Sequence, residues 1–328
     1  MKLIVNIPVY NEEKSLGETI RVIRKSFSDD FYTQGEGKII TEKLIQIVDD
    51  GSTDRSAEVA RQEGVDLIIS YKPNRRLAYS FKRAVESSLE NDADFMVNID
   101  ADLQFNPYDI PKLLSPILKG KADMVIANRF GEKKAKNIPW LRENLNKFAA
   151  NIIGFFLNYK TNDLTCGFRA HNRETLLRFN LTNVHFTYTQ ETIIDAIGKN
   201  LKLFWVPIDV TYFDNREAKI TKSIYKFISN STKIILKAVR DVRPMKFFGI
   251  PGLFIIFLSL ISFAIFLYNY LPELNVTRYR NYLLFGIASF LIGLQFVVFA
   301  LVADMVKSSR QLTEELMYQW KKDKYSKK

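Results

Sequence analysis

Two uncharged stretches late in the chain, Phe247 to Leu271 (FFGIPGLFIIFLSLISFAIFLYNYL) and Asn281 to Ala303 (NYLLFGIASFLIGLQFVVFALVA), run for 25 and 23 residues. At about 1.5 Å per helical residue, each is long enough to cross a hydrocarbon layer of roughly 30 Å. Buried helices of soluble proteins rarely run so far without a polar face. The connection, Pro272 to Arg280, is short, which predicts a hairpin with both ends on one side of a membrane. Lys237, Arg240, Arg243 and Lys246 precede the first span and further basic residues follow the second, so the positive-inside bias assigns that side to the cytoplasm. Arg278 and Arg280 in the connection oppose this assignment and are outnumbered. Asn275-Val-Thr277 has the form of a glycosylation sequon, and its closeness to the bilayer makes it a coincidence of sequence.

The spans also give the charge a meaning. With 47 Lys and Arg against 36 Asp and Glu, the chain of 328 residues carries +11. The late excess of Lys307, Arg310, Lys321, Lys322, Lys324, Lys327 and Lys328 suits an anionic membrane face, and nucleic acid is not an expected partner. A single cysteine, Cys166, excludes an intramolecular disulfide and a multi-cysteine metal site, and two histidines make a zinc cluster improbable. Residues 1 to 7 (MKLIVNI) are too short for a secretory signal before Pro8 and Glu12 interrupt them, so the polar part is expected in a reduced, cytoplasmic compartment.

The first two hundred residues alternate β-rich runs with helical ones, the pattern of a mostly parallel sheet covered by helices. Strands are expected at Lys2–Ile7, Leu44–Val48, Leu67–Ser70, Phe95–Ile99, Asp123–Ala127 and Lys202–Val206. Helices are expected at Glu13–Phe27, Ser52–Arg61 with Ser52 as its cap, Arg75–Leu89, Asp109–Leu118 after a proline turn, Ile138–Tyr159 and Thr189–Lys199. Asp163 to Ala170 reads as a polar loop entering a further strand. Thr221 to Arg240 mixes isoleucines and lysines just before a span and reads as an amphipathic helix in the lipid interface, or as a surface helix packed on its own domain. The expected division is a catalytic domain over 1–220, amphipathic helices over 221–245, two transmembrane helices over 246–306 and a basic cytoplasmic tail over 307–328.

Chemistry gathers after the strands. Asn98-Ile-Asp-Ala-Asp-Leu-Gln-Phe-Asn-Pro107 closes an apolar run with two carboxylates one residue apart. By itself an Asp-x-Asp pair is a solvated turn or a clamp for a hard divalent cation, Mg²⁺ or Mn²⁺, with Asp100 and Asp102 as ligands and Gln104 adding a neutral oxygen. Two more acidic loops follow strands, Pro8-Val-Tyr-Asn-Glu12 and Asp49-Asp-Gly-Ser-Thr-Asp54, where Gly51 permits a tight turn. Clustered carboxylates repel unless a cation compensates, so three such loops on one sheet edge point to a nucleotide diphosphate held through a metal ion.

In order and spacing these motifs resemble glycosyltransferase family 2, the inverting nucleotide-sugar enzymes of the A-type, Rossmann-like glycosyltransferase fold, over roughly residues 3 to 220. Within it the chain looks most like the polyprenyl-phosphate sugar transferases of the dolichyl-phosphate mannose synthase type. The residues that carry this are Asp100-Ala-Asp-Leu-Gln104, Asn128-Arg-Phe130, Asp163-Leu-Thr-Cys-Gly-Phe-Arg169, Gln190-Glu191 and Arg216-Glu-Ala-Lys219, the last standing where the subgroup has Arg followed by Glu-Ser-Lys. The resemblance implies that Pro8, Tyr10, Glu12 and Asp50 hold the nucleoside, that Asp100, Asp102 and Gln104 hold the metal, and that Arg129, Arg142, Arg169, Arg216 and Lys219 bind diphosphate or lipid phosphate. Arg76 departs from the pattern, standing in Asn74-Arg-Arg-Leu-Ala78 where a glycine is common.

The expected partners are a nucleotide diphosphate sugar, a polyprenyl or dolichyl phosphate and membrane lipids, and the spans leave self-association open. A phosphate acceptor, with a second pKa of about 6, attacks without a strong base. A hydroxyl acceptor needs one, and Glu191 or Asp163 are the nominees. Glu191 is equally a helix N-terminal carboxylate, and Asp163 equally a fold of its loop. A processive polysaccharide synthase is disfavoured by the lack of a Gln-x-x-Arg-Trp motif, a nucleotidyltransferase by the lack of a glycine-rich basic loop, and a transporter by spans whose interior offers only Gln295 as a strongly polar group. A non-catalytic nucleotide-sugar sensor would carry degraded acidic motifs, and these are intact.

Overall fold

A computed structural model describes residues 1–130, 158–181, 188–210, 242–274 and 276–326, with isolated positions 151, 154, 236 and 240. The chain divides into two compact units, Met1–Ile234 together with Leu316–Lys328, and Ile235–Glu315. Arg142, Arg216 and Lys219 lie outside the described residues, as does nearly all of the expected helix over 138–159 and of the amphipathic segment over 221–240.

The first unit is built on one seven-stranded sheet. Its strands are β1 (Lys2–Val9), β2 (Glu42–Asp49), β3 (Leu67–Ser70), β4 (Phe95–Asn98), β5 (Met124–Asn128), β6 (Arg169–Asn172) and β7 (Leu203–Pro207), in the order β3-β2-β1-β4-β6-β5-β7. β1 is apolar along nearly its whole length because helices cover both faces, as in parallel sheets generally. All neighbours are parallel except β6, which runs antiparallel to both β4 and β5. β6, four residues long, is the strand foreseen after Asp163 and is inserted in mid-sheet. Asp123 pins it there, its carboxylate accepting from the Asn172 amide and the Lys202 N–H while its carbonyl accepts from Asn172 N and Thr175 Oγ1.

The helices of this unit are α1 (Leu16–Ser26), a single turn α2 (Asp30–Thr33), α3 (Ser56–Gln62), α4 (Leu77–Glu90), α5 (Ile110–Leu118), α6 (Arg173–Arg178) and α7 (Tyr188–Gly198). α1 buries Leu16, Ile20 and Ile23 at spacings of four and three, the stripe that an amphipathic helix turns to a core. α5 follows a turn at Pro107–Asp109 in which Asn106 accepts from Tyr108 N, so the proline turn is where the sequence puts it. One start is corrected: the helix after β2 begins at Ser56 rather than Ser52, and Ser52 is bound elsewhere.

The second unit is a helical hairpin. A π-helical turn (Met245–Gly249) leads into α8 (Ile250–Glu273), which ends at Leu274 in the left-handed region, and α9 (Val276–Lys324) returns. The connection is shorter than the expected Pro272–Arg280, because Thr277 to Arg280 already belong to α9. Both helices are long and apolar enough to cross a membrane, and most of their apolar side chains are exposed, Leu253, Phe257, Leu260, Leu291 and Leu301 each by more than half. A soluble core would cover such side chains; their exposure along two helices of this length fits association with a membrane.

Small residues let the two helices meet closely. A Cβ on Gly293 would lie 2.7 Å from Ile256 Cγ1 and 2.9 Å from the Gly252 carbonyl oxygen. Ser259 Oγ donates to Gly286 O at 2.8 Å and Ser262 Oγ to Tyr282 O at 2.7 Å, so each hydroxyl has a partner on the other helix. α9 runs on to Lys324 through the expected basic tail, and its last turns belong to the first unit. There Tyr318 is buried, its OH donating to Glu174 Oε2 at 2.9 Å and its ring lying 4.1 Å under the Arg178 guanidinium. Lys321 Nζ donates to Phe179 O and Asn180 Oδ1, and Arg173 to Tyr325 O.

Candidate active site

The carboxyl ends of β1, β2, β3, β4 and β5 share one edge of the sheet. Because β6 is antiparallel, the loop before it, 163–168, arrives at the same edge. All three acidic loops named from the sequence are therefore neighbours of a fourth loop that carries Asp163 and Arg169.

The loops after β1 and β2 are zipped together by side chains. Asn11, at φ 56°, donates its N–H to Ser52 Oγ at 3.0 Å and accepts from Thr53 N at 2.8 Å. Glu12 N donates to Ser56 Oγ at 2.9 Å, and Glu12 Oε2 accepts from Ser15. Ser52 serves this zipper, with its own N–H donated to Asp49 Oδ1, and caps no helix. Pro8 lies one residue before the end of β1, opposite Val48, and Tyr10 is about half exposed beyond the strand. Asp50 is buried, its N–H on Val9 O and its Oδ1 receiving Arg75 N at 2.7 Å. Gly51, at φ 75°, is doubly required, since a Cβ there would also lie 3.1 Å from Asn74 N and Tyr71 O. This fixes the 71–76 loop over Asp50. Arg76, in place of a glycine, adopts φ 73° and ψ 161°, a backbone region that costs a side-chain-bearing residue about 1–3 kcal/mol.

The Asp-x-Asp loop is held from three sides. Ala101 O accepts from Thr19 Oγ1 of α1 at 2.9 Å, Asp102 Oδ1 accepts from Gln104 N at 3.2 Å, and Phe105 packs at a tilt against Phe168 with ring centres 5.2 Å apart. Leu103 sits at φ 56° to make the turn. Gln104 braces Asp102 through its main chain. Asp100 is partly buried and crowded: burial first, then the Asp102 carboxylate and also Glu12, push its carboxyl up to about 7 against the pull of Arg129 and Arg169. Such a pair is the arrangement that a hard cation relieves, and carboxylates with room for phosphate and water are what Mg²⁺ or Mn²⁺ takes. Among the described residues no three His, Cys, Asp or Glu side chains close around one point, so the residues fit a metal shared with a diphosphate rather than a protein cage.

Two basic residues have other work. Arg129 and Asp163 form a buried, two-pronged ion pair, Nε to Oδ2 at 2.7 Å and a terminal nitrogen to Oδ1 at 2.9 Å, and Arg129 also donates to Thr165 Oγ1 at 2.6 Å. Burial works to raise the Asp163 carboxyl and Arg129 outweighs it, holding it below the usual carboxylate range. Asp163, one of the two nominees for general base, is the partner that locks Arg129. Arg169 is wholly buried and donates to Cys166 O, Leu164 O, Thr189 O and Thr192 Oγ1. The guanidinium joins the 163–168 loop to the start of α7. Glu191 occupies the first turn of α7, where the helix dipole favours a carboxylate in any case.

Gly167 and Tyr188 were not marked as site residues, yet a Cβ on Gly167 would lie 3.2 Å from both Asp100 carboxylate oxygens and 3.5 Å from Tyr188 OH. Asn6, Gln46 and Asn98 are equally silent apart from one signal, an amide interrupting each of three apolar strands, LIVNI, LIQIV and FMVNI.

This arrangement defines a glycosyltransferase domain of the A type. Its fold is shared with glucosyl-3-phosphoglycerate synthase from Mycobacterium tuberculosis, crystallised with Mn²⁺, UDP and glucosyl-3-phosphoglycerate, at TM-score 0.52 and 17% identity over 73% of this chain and 78% of that one. Residues 4–178 match glycosyl transferase family 2, and the chain belongs to that family. It is 31% identical over 242 residues, 73% of this chain and 91% of the relative, to an uncharacterized protein of Methanocaldococcus jannaschii. It is 28% identical over 263 residues, 77% of this chain and 69% of the relative, to the dolichol-phosphate mannosyltransferase of Pyrococcus furiosus.

Proposed function

We propose that the chain transfers a hexose, with inversion, from a nucleotide diphosphate sugar of the GDP-mannose or UDP-glucose type to a polyprenyl or dolichyl phosphate at the cytoplasmic face of a membrane. The observation that carries this reading is the crowding of Asp100 against Asp102 and Glu12 on a sheet edge, in a chain whose second unit is an apolar hairpin. Pro8, Tyr10, Glu12 and Asp50 form the nucleoside side. Asp100 and Asp102 hold Mg²⁺ or Mn²⁺, with Gln104 adding a neutral side-chain oxygen while its main chain braces Asp102. When bound, the cation neutralises charge on the departing diphosphate. Arg129 keeps the 163–165 loop seated through Asp163, and Arg142, Arg216 and Lys219 are candidates to meet the diphosphate or the acceptor phosphate.

A phosphate acceptor is already anionic, so positioning and charge neutralisation suffice for it. The engagement of Asp163 by Arg129 supports this, because it removes one of the two bases a hydroxyl acceptor would use. The contact of Tyr318 and Lys321 with the first unit supports one side of the bilayer for both the catalytic domain and the C-terminus, and the basic flanks support the cytoplasmic side.

The test incubates purified protein with Mn²⁺, a panel of labelled GDP- and UDP-sugars and a polyprenyl phosphate. One donor is expected to deliver its sugar to the lipid phase, and chelation or Asp102→Ala should reduce transfer by roughly a thousandfold. Transfer that survives chelation, or that proceeds equally to a prenol lacking phosphate, overturns the reading.

A further inference from the structure

One rung inside the site edge, four polar side chains lie side by side across the sheet. Gln46 of β2 pairs in register with Asn6 of β1, Asn6 with Asn98 of β4, and Asn98 with Arg169 of β6. None is more than 1% exposed. The amides form a continuous chain: Gln46 Nε2 donates to Asn6 Oδ1 at 3.0 Å and Ala84 O at 3.2 Å, and Asn6 Nδ2 donates to Asn98 Oδ1 at 2.7 Å. Asn98 Nδ2 then leaves the strand, donating to Gly167 O at 3.1 Å and Tyr188 OH at 3.4 Å.

Such a row is a poor device for stability alone. Buried amides must recover their desolvation cost by bonding, whereas apolar side chains of like shape in the same three positions would be nearly neutral or stabilising. What distinguishes the row is its end. Gly167, gripped by Asn98 through its carbonyl, lies directly under the Asp100 carboxylate, close enough that a methyl group there would press on both oxygens. Asn98 is also two residues before Asp100 on the same strand end, so one amide fixes both the carboxylate's root and its seat.

We infer that Asn98, backed by Asn6 and Gln46, is a positioning residue that gives Asp100 a single orientation toward the divalent cation. The inference rests on the metal-dependent reading above. Groups outside the ligand set that orient a ligand commonly contribute tenfold to a hundredfold to metal affinity.

The test measures Mn²⁺ binding directly, as loss of the free-ion paramagnetic resonance signal in the presence of UDP or GDP, together with the thermal unfolding midpoint. The full-length protein is compared with Asp100→Ala, Asn98→Leu, Gly167→Ala and the combined Asn6→Leu, Gln46→Leu, Asn98→Leu variant, whose apolar row leaves no amide unpaired. The expected result is Mn²⁺ binding by the unaltered protein, its loss in Asp100→Ala, and a dissociation constant at least about tenfold weaker in Gly167→Ala and the combined variant. The combined variant should keep an unfolding midpoint close to that of the unaltered protein. Unweakened Mn²⁺ binding by the combined variant overturns the inference, as does weakening that matches a fall in the fraction folded. Absence of Mn²⁺ binding by the unaltered protein overturns the metal-dependent reading itself.

Discussion

His171 lies in the middle of β6, wholly buried, its ring packed edge-on against Phe81 and Phe179. Neither ring nitrogen has a hydrogen-bond partner among the described residues, and burial, aided by Arg169, pushes its pKa down to about 3. It works as a neutral aromatic plug. The unfolded chain protonates an ordinary histidine near pH 6.5, so between about 6.5 and 3 the unfolded state binds the extra proton. His171 therefore costs nothing above pH 6.5, and stability falls as pH drops below it. Urea unfolding followed by tryptophan fluorescence should show the unaltered protein losing about 1.4 kcal/mol per pH unit more than His171→Leu between pH 6 and pH 5. At this scale the sequence was uneven. The carboxylates were legible because acids after strands have few structural uses. For Arg129 and Arg169 a motif names a residue without saying which acceptors surround it, and in the fold both meet carbonyls, hydroxyls or Asp163.

Among the elements, strand positions could be foreseen to within a residue or two, since apolar runs bounded by turn residues mark buried parallel strands. The start of α3 could not, because Ser52 is a good cap by type and only the facing loop, through Asn11, gives its hydroxyl a better use. The insertion of β6 between β4 and β5 was likewise invisible: four residues, RAHN, carry no apolar run, and their place depends on Asp123 and on Asn172. The hairpin was plain from length and lack of charge, while its close packing rests on glycines whose partners lie some forty residues away in sequence. Gly293→Leu should force α8 and α9 apart and lower the thermal unfolding midpoint in detergent, at a cost of about 1–3 kcal/mol. Gly249→Ala, where a Cβ meets nothing closer than 3.8 Å, should leave it nearly unchanged.

For the whole molecule, the last turns of α9 matter beyond their length. Tyr318, Lys321 and Tyr325 tie the chain's end to α6 and the residues after it, and Tyr318→Ala removes both the bond to Glu174 and the ring under Arg178. One charge-assisted bond is worth about 1.5 kcal/mol, so trypsin should cut after Lys321, Lys322 and Lys324 roughly tenfold faster in that variant, as followed by mass spectrometry. Unchanged cutting would mean that the contact does not restrain the end. The sheet order has a consequence for biosynthesis. A ribosome that has delivered the first 130 residues has made β1 to β5, yet β4 and β5 cannot be joined, because the strand between them has not been synthesised. Until residues 169–172 emerge, β4 presents an open flank in mid-sheet and Asp100 has no Gly167 beneath it. The catalytic edge is thus completed late, by a four-residue strand arriving from downstream, and the nascent domain must guard an unpaired strand edge while it waits.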